Sequence, residues 1–107
     1  MALSEDFSER VLSLVETIPP GRVLSYGVIA RLVNEQGLEQ GGPRQVGHVM
    51  AMDGGGVPWW RVVRADGSLP PSHLGRAQKH YREEGTPMRL GEASVDIRKA
   101  LWDGPFD

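Results

Sequence analysis

Three proline and glycine stops cut the first half of the chain into short segments, each with apolar residues at helical spacing. Pro19-Pro20-Gly21 ends a stretch from about Ser4 to Ile18, where Phe7, Val11, Leu14, Val15 and Ile18 share one face behind a possible Ser4 cap. Val23 and Leu24 form a short link. Ser25 can then cap a second helix with Val28, Ile29, Leu32 and Val33 on one side. Asn34 to Gly42 reads as a loop closed by Gly41-Gly42. Pro43 follows where a first helical turn tolerates proline, and Val46, Val49 and Met50 give a third helix its buried stripe. Asp53-Gly54-Gly55-Gly56 ends that helix.

The second half is less regular. Val57 to Val63 reads as a short strand and Ala65-Asp66-Gly67-Ser68 as a turn. A fourth helix is expected from about His73 to Glu84, stopped by Gly85. The tail from about Ala93 to Trp102 is expected to pack Leu101 and Trp102 against the body. No repeat, low-complexity tract or linker divides the 107 residues, so 1–107 is expected to form a single domain. Two helices joined by a glycine-rich loop and followed by a small β element predict a mostly α fold with a small β wing, a winged helix-turn-helix. By analogy of fold, that architecture is used mostly on DNA.

The absence of cysteine removes whole classes of chemistry. Disulfides, thiolate metal sites and cysteine nucleophiles are all excluded. His48, His73 and His80 show no metal-ligand spacing with nearby carboxylates. His73 and His80 could share a helical face, an arrangement usual on solvated surfaces, so no metal and no cofactor are expected. No stretch is apolar enough to span a bilayer and no secretory signal is visible, so a cytoplasmic location is expected, nucleoid-associated in a bacterium. The net charge of −2 argues against a polyanion partner, but its distribution is uneven. Residues 1–20 and 83–107 are acidic, whereas 21–82 carry eight basic residues against four acidic ones. That middle could be a polyanion-binding face or a solvated mixed surface, and charge alone does not choose.

Three local sequences bear on the choice. Residues 19–30 read Pro-Pro-Gly-Arg-Val-Leu-Ser-Tyr-Gly-Val-Ile-Ala, and 44–50 read Arg-Gln-Val-Gly-His-Val-Met. Residues 57–63 read Val-Pro-Trp-Trp-Arg-Val-Val, followed by Asp66-Gly67. In this order and spacing the chain resembles the DNA-binding domain of the O6-alkylguanine-DNA alkyltransferases from about Phe7 to Gly85. Glu83-Glu84-Gly85 is similar to the close of that family's last active-site helix. The alkyltransferases have Pro-Cys-His-Arg, the cysteine accepting the alkyl group and the histidine helping to activate it. Here the stretch is Pro58-Trp59-Trp60-Arg61. Tryptophan in place of that cysteine marks the alkyltransferase-like proteins, which bind the damaged base and leave it unrepaired.

The resemblance assigns roles to residues that otherwise read two ways. Trp59 is either a core aromatic or a flat face on which a base or its alkyl group packs. Tyr26, otherwise a half-buried aromatic at a helix start, matches the tyrosine that presses the target phosphate and turns the nucleotide outward. Arg44, otherwise surface charge, matches the arginine finger that fills the gap left by the extruded nucleotide. A planar cation can stack between bases and hydrogen-bond the orphaned partner. Trp60 departs from the histidine most members keep, with packing behind the pocket the first reading and base contact the second. Arg61 is expected to be an ion-pair or loop anchor. Arg76 is the nearest residue able to reach the base or backbone from the 68–72 side, where Pro70-Pro71 should wall the pocket.

Gly27, Ala30, Gly47 and Ala51 either let the backbone approach a sugar-phosphate chain or allow close helix packing. In the family the third helix lies in the minor groove, which carries little sequence information.

The function implied is binding of O6-alkylguanine in duplex DNA by base flipping, without alkyl transfer. The lesion would be flagged for nucleotide excision repair proteins and shielded from true alkyltransferases, by a protein expected to act as a monomer. Two rivals are a winged-helix transcription regulator and a protein-interaction domain that has lost DNA binding. The regulator needs polar base-reading side chains on the third helix, where only Gln45 and His48 follow Arg44.

Overall fold

A computed structural model describes residues 5–35, 41–91 and 93–104, apart from the side chains of Glu5 and Asp6. The elements run α1 (Glu5–Thr17), β1 (Leu24–Ser25), α2 (Tyr26–Asn34), α3 (Pro43–Asp53), β2 (Val62–Val63), α4 (Pro71–Glu84) and α5 (Ile97–Ala100). Short 3₁₀ turns occupy Gly54–Gly56 and Trp59–Arg61. The fold is mostly helical with a small two-stranded sheet, as the sequence predicts. The Ser4 cap and residues 36–40 of the expected loop lie outside the described residues.

Helices α1 to α3 form the first of two cores, burying Phe7, Val11, Leu14, Val15, Ile18, Ile29, Val33, Val46 and Val49 together with Leu24 and Val62. The apolar stripes read from the sequence are the faces that meet here. Ser25 caps α2, its side chain accepting from the Val28 amide at 3.2 Å.

The sheet differs from expectation. The Val23-Leu24 link runs into a strand, and β1 pairs parallel with β2 in the register Leu24–Val62 and Ser25–Val63. The expected strand over 57–63 is reduced to its last two residues. Pro58 cannot donate to a ladder, and bonds from the Val57 amide to the Gly54 carbonyl and from the Arg61 amide to the Pro58 carbonyl coil this segment instead.

Alternation along these short strands divides the cores. Leu24 and Val62 face the three helices. Val23 and Val63 face a second core with Leu69, Ala77, Tyr81, Val95 and Ala100. The tail is stitched beside Val23, whose amide donates to the Ala100 carbonyl at 3.0 Å while the Trp102 amide donates back at 2.9 Å. Helix α4 starts at Pro71, slightly earlier than expected. It stops at Gly85 (φ 68°), where the Thr86 amide closes onto the Tyr81 carbonyl at 3.0 Å.

Candidate nucleic-acid interface

An open cleft of about 1070 Å³ lies between the start of α2, one face of α3, and the segment from Trp59 to the first turns of α4. Tyr26, Arg44, Trp59 and Arg76, all singled out from the sequence, line it together. Arg44 is exposed in the first turn of α3. Gly42 precedes that turn, and its amide donates to Gln45 Oε1 at 2.8 Å. Among the described residues no carboxylate ion-pairs with Arg44. Gly47 and Ala51 also line the cleft, and nothing lies within 4 Å of where a Gly47 Cβ would stand, so the α3 face is open there.

Tyr26 is placed by the sheet. The Ser25–Val63 pair puts Tyr26 and Arg64 side by side, each one residue past its strand. Burial raises the Tyr26 phenol above its ordinary pKa and the Arg64 charge partly opposes this, so the group is a neutral hydroxyl at physiological pH.

Trp59 stands among aromatic and cationic groups. The Arg76 guanidinium lies over its ring at 5.6 Å. His73 and His80 approach at 5.9 and 6.0 Å, and Trp60 meets it edge-on at 5.6 Å. The turn from Trp59 to Arg61, anchored by the Trp59 amide on the Val57 carbonyl at 2.7 Å, presents this ring to the cleft.

Pro58, Trp60 and Arg61 do not line the cleft. Pro58 opens the turn that carries Trp59. Trp60 stacks on His80 at 3.6 Å with planes 5° apart, and its indole N–H donates to Glu84 Oε2 at 2.9 Å. Where most of the family keeps histidine, a ring nitrogen thus donates to a carboxylate behind the cleft. Arg61 donates to the same carboxylate through two nitrogens and to the Ile18 carbonyl at 2.9 Å. Burial tends to raise the Glu84 carboxyl. Bonds from Arg61, the Gly21 amide and Trp60 outweigh it and hold the group below its ordinary value. The glutamate also sits at the C-terminal end of a helix, where the dipole disfavours an anion, so these donors supply what the helix does not.

Met50, Gly54, Gly55, Arg64 and His73 are not among the site residues read from the sequence, yet all line the cleft, and Leu69 and Pro70 line it from the 68–72 loop expected to wall the pocket. Met50 reads as a core residue, and Arg64 has no local signal because its place depends on the pairing of β1 with β2. The partial signal for His73 was its shared helical face with His80.

The 6-O-methylguanine DNA methyltransferase, DNA binding domain, matches this chain across residues 6–86, spanning α1 to the end of α4. The chain belongs to this methyltransferase DNA-binding family. A DNA base-flipping protein of Escherichia coli (strain K12) is 34% identical over 107 residues, covering 96% of this chain and 79% of that protein. Alkyltransferase-like protein 1 of Schizosaccharomyces pombe is 29% identical over 107 residues, covering 92% of this chain and 95% of that protein. The S. pombe Atl1 structure in complex with damaged DNA containing O6-carboxymethylguanine superposes with a TM-score of 0.78 at 28% identity, covering 96% of this chain and 100% of that one. The methyltransferase DNA-binding fold is therefore the fold of this chain.

Proposed function

We propose that the chain binds O6-alkylguanine in duplex DNA, holds the extruded base in the cleft, and leaves the alkyl group in place. One observation carries the reading: Tyr26, Arg44 and Trp59 line a single cleft in a chain that has no cysteine. Alkyl transfer needs an activated nucleophile beside the base, and an indole is not one. Trp59 instead offers an apolar face, Arg44 stands free to enter the duplex, and the neutral Tyr26 hydroxyl can press on a phosphate. The names of the relatives, base-flipping and alkyltransferase-like proteins, support the same assignment.

Extrusion costs a few kcal/mol, less for a base that already pairs poorly, so the damaged duplex itself contributes selectivity. With α3 in the minor groove, the open surface at Gly47 and Ala51 meets the sugar-phosphate backbone and little sequence is read. The regulator reading is weakened, because Gln45 Oε1 already accepts from the Gly42 amide and the side chain is then less able to make a bidentate contact to adenine. A complex that forms no product persists. Its use is then to mark the lesion for nucleotide excision repair proteins and to withhold it from true alkyltransferases.

The test is protection. An O6-methylguanine duplex is saturated with the chain, a working alkyltransferase is added, and methyl transfer is followed with time. Slowing in proportion to occupancy, with the methyl group intact when the chain acts alone, supports the reading. Loss of the methyl group to the chain alone, or no protection at saturation, contradicts it.

A further inference from the structure

The two neighbouring tryptophans are held in different ways. Trp60 is fixed at two points: its indole N–H donates to Glu84 Oε2 at 2.9 Å, and its carbonyl accepts from the Tyr81 hydroxyl at 2.6 Å. The Trp59 side chain lines the cleft and makes no hydrogen bond among the described residues. Ordering a loose side chain on binding weakens affinity by about two- to tenfold, so a ring that receives a base gains from being set beforehand.

Helix α4 supplies that order through ring contacts. His73, Arg76 and His80 stand at i, i+3 and i+7 along it and share one face, the face that the histidine spacing alone would give to solvent. That face meets Trp59. His73 and Arg76 also line the cleft and would touch a bound base themselves, whereas His80 does not line it. Its half-buried ring stacks on Trp60, 3.6 Å away with planes 5° apart, and meets Trp59 edge to face at 6.0 Å and 84°. Glu83 Oε1 lies 4.0 Å from its Nδ1, beyond hydrogen-bond reach. The imidazole is therefore placed by the two indoles, and it carries the fixed position of Trp60 across to Trp59.

We infer that His80 is a positioning residue for lesion binding, holding Trp59 in the orientation that receives the base without itself touching the base. This deepens the lesion reading, on which it rests. The ring of His80 is what acts, through packing and not through charge.

The experiment measures affinity for an O6-methylguanine duplex and its unmodified twin at fixed salt and pH, well below the unfolding transition. Three proteins are compared: the parent, His80→Gln, which keeps bulk and polarity but loses the ring, and His80→Phe, which keeps a ring without charge. Fluorine NMR of the same proteins labelled with fluorotryptophan reports on Trp59, whose resonance is identified by its loss in Trp59→Phe. The expected result is a lesion-to-unmodified affinity ratio that falls about two- to tenfold in His80→Gln. The Trp59 resonance shifts or broadens with it, and His80→Phe restores both. A parent-like ratio in His80→Gln overturns the inference and leaves the lesion reading standing. A lowered ratio with an unmoved Trp59 resonance overturns the route through Trp59. A ratio that His80→Phe fails to restore overturns the assignment to ring packing. Equal affinity of the parent for both duplexes overturns the lesion reading itself, and this inference with it.

Discussion

Arg61 and Glu84 form a fork-to-fork pair between the tryptophan turn and the last turn of α4, Nε reaching Oε1 at 3.1 Å and Nη2 reaching Oε2 at 2.5 Å. Both side chains are largely buried, and the same carboxylate also takes the Gly21 amide at 3.1 Å and the Trp60 indole. One anion thus ties the turn that presents Trp59 to the α1–β1 connection and to α4. The cleft wall inherits its position from this cluster, which lies behind it.

Acid should loosen that tie. The Glu84 carboxyl is held below its ordinary value of 4.5, so its stabilising contribution is complete above that pH and is lost as pH falls through the lower folded value. Glu84→Gln leaves the Arg61 guanidinium largely buried without its anion and is expected to cost about 2–3 kcal/mol at neutral pH. Urea titrations at pH 7 and at about pH 3 check this, the gap between parent and variant narrowing at the lower pH.

Trp60 should matter to stability more than to binding. Trp60→Phe keeps a ring against His80 but loses the N–H bond to Glu84, with an expected cost of about 1–2 kcal/mol. Lesion affinity measured well below the unfolding transition should change less than twofold, about the effect of a residue outside the contact surface. A large drop in affinity with unchanged stability would instead put Trp60 in contact with the base.

Trp59 should behave in the opposite way. It is only half-buried, and its side chain makes no hydrogen bond among the described residues. Trp59→Ala is expected to weaken lesion binding by about 1–3 kcal/mol, the range for loss of a base-stacking aromatic. Its effect on the urea midpoint should be the smaller of the two measured changes.

Gly67 is a backbone requirement. Its φ is 87°, and a Cβ there would run into the Val95 carbonyl, whose residue also donates its amide to the Gly67 carbonyl at 2.9 Å. Gly67→Ala therefore combines a left-handed penalty with a clash and should destabilise by at least about 2 kcal/mol. A thermal melt within a degree or two of the parent would contradict this placement.

The helical half of this molecule was legible because long stretches with one buried face and clear stops leave few alternatives. Phe7 to Ile18 and Val28 to Val33 are such stretches. The sheet was not. Leu24-Ser25 is too short to show alternation, and the run from Val57 to Val63 has strand composition although Pro58 and the glycines before it favour tight turns. Tyr26, Arg44, Trp59 and Arg76 could be brought together on paper only through resemblance. Arg64 and Glu84 gain their neighbours from pairings between distant parts of the chain, Ser25 with Val63 and Arg61 with Glu84, which no local pattern announces.

The most direct test of the central claim is the affinity for a short duplex carrying one O6-methylguanine, beside its unmodified twin, at a stated salt concentration. Binding that is tight and lesion-dependent, collapses in Arg44→Ala, and returns the duplex with its methyl group still on guanine is the predicted result. Equal, weak binding to both duplexes would contradict the account.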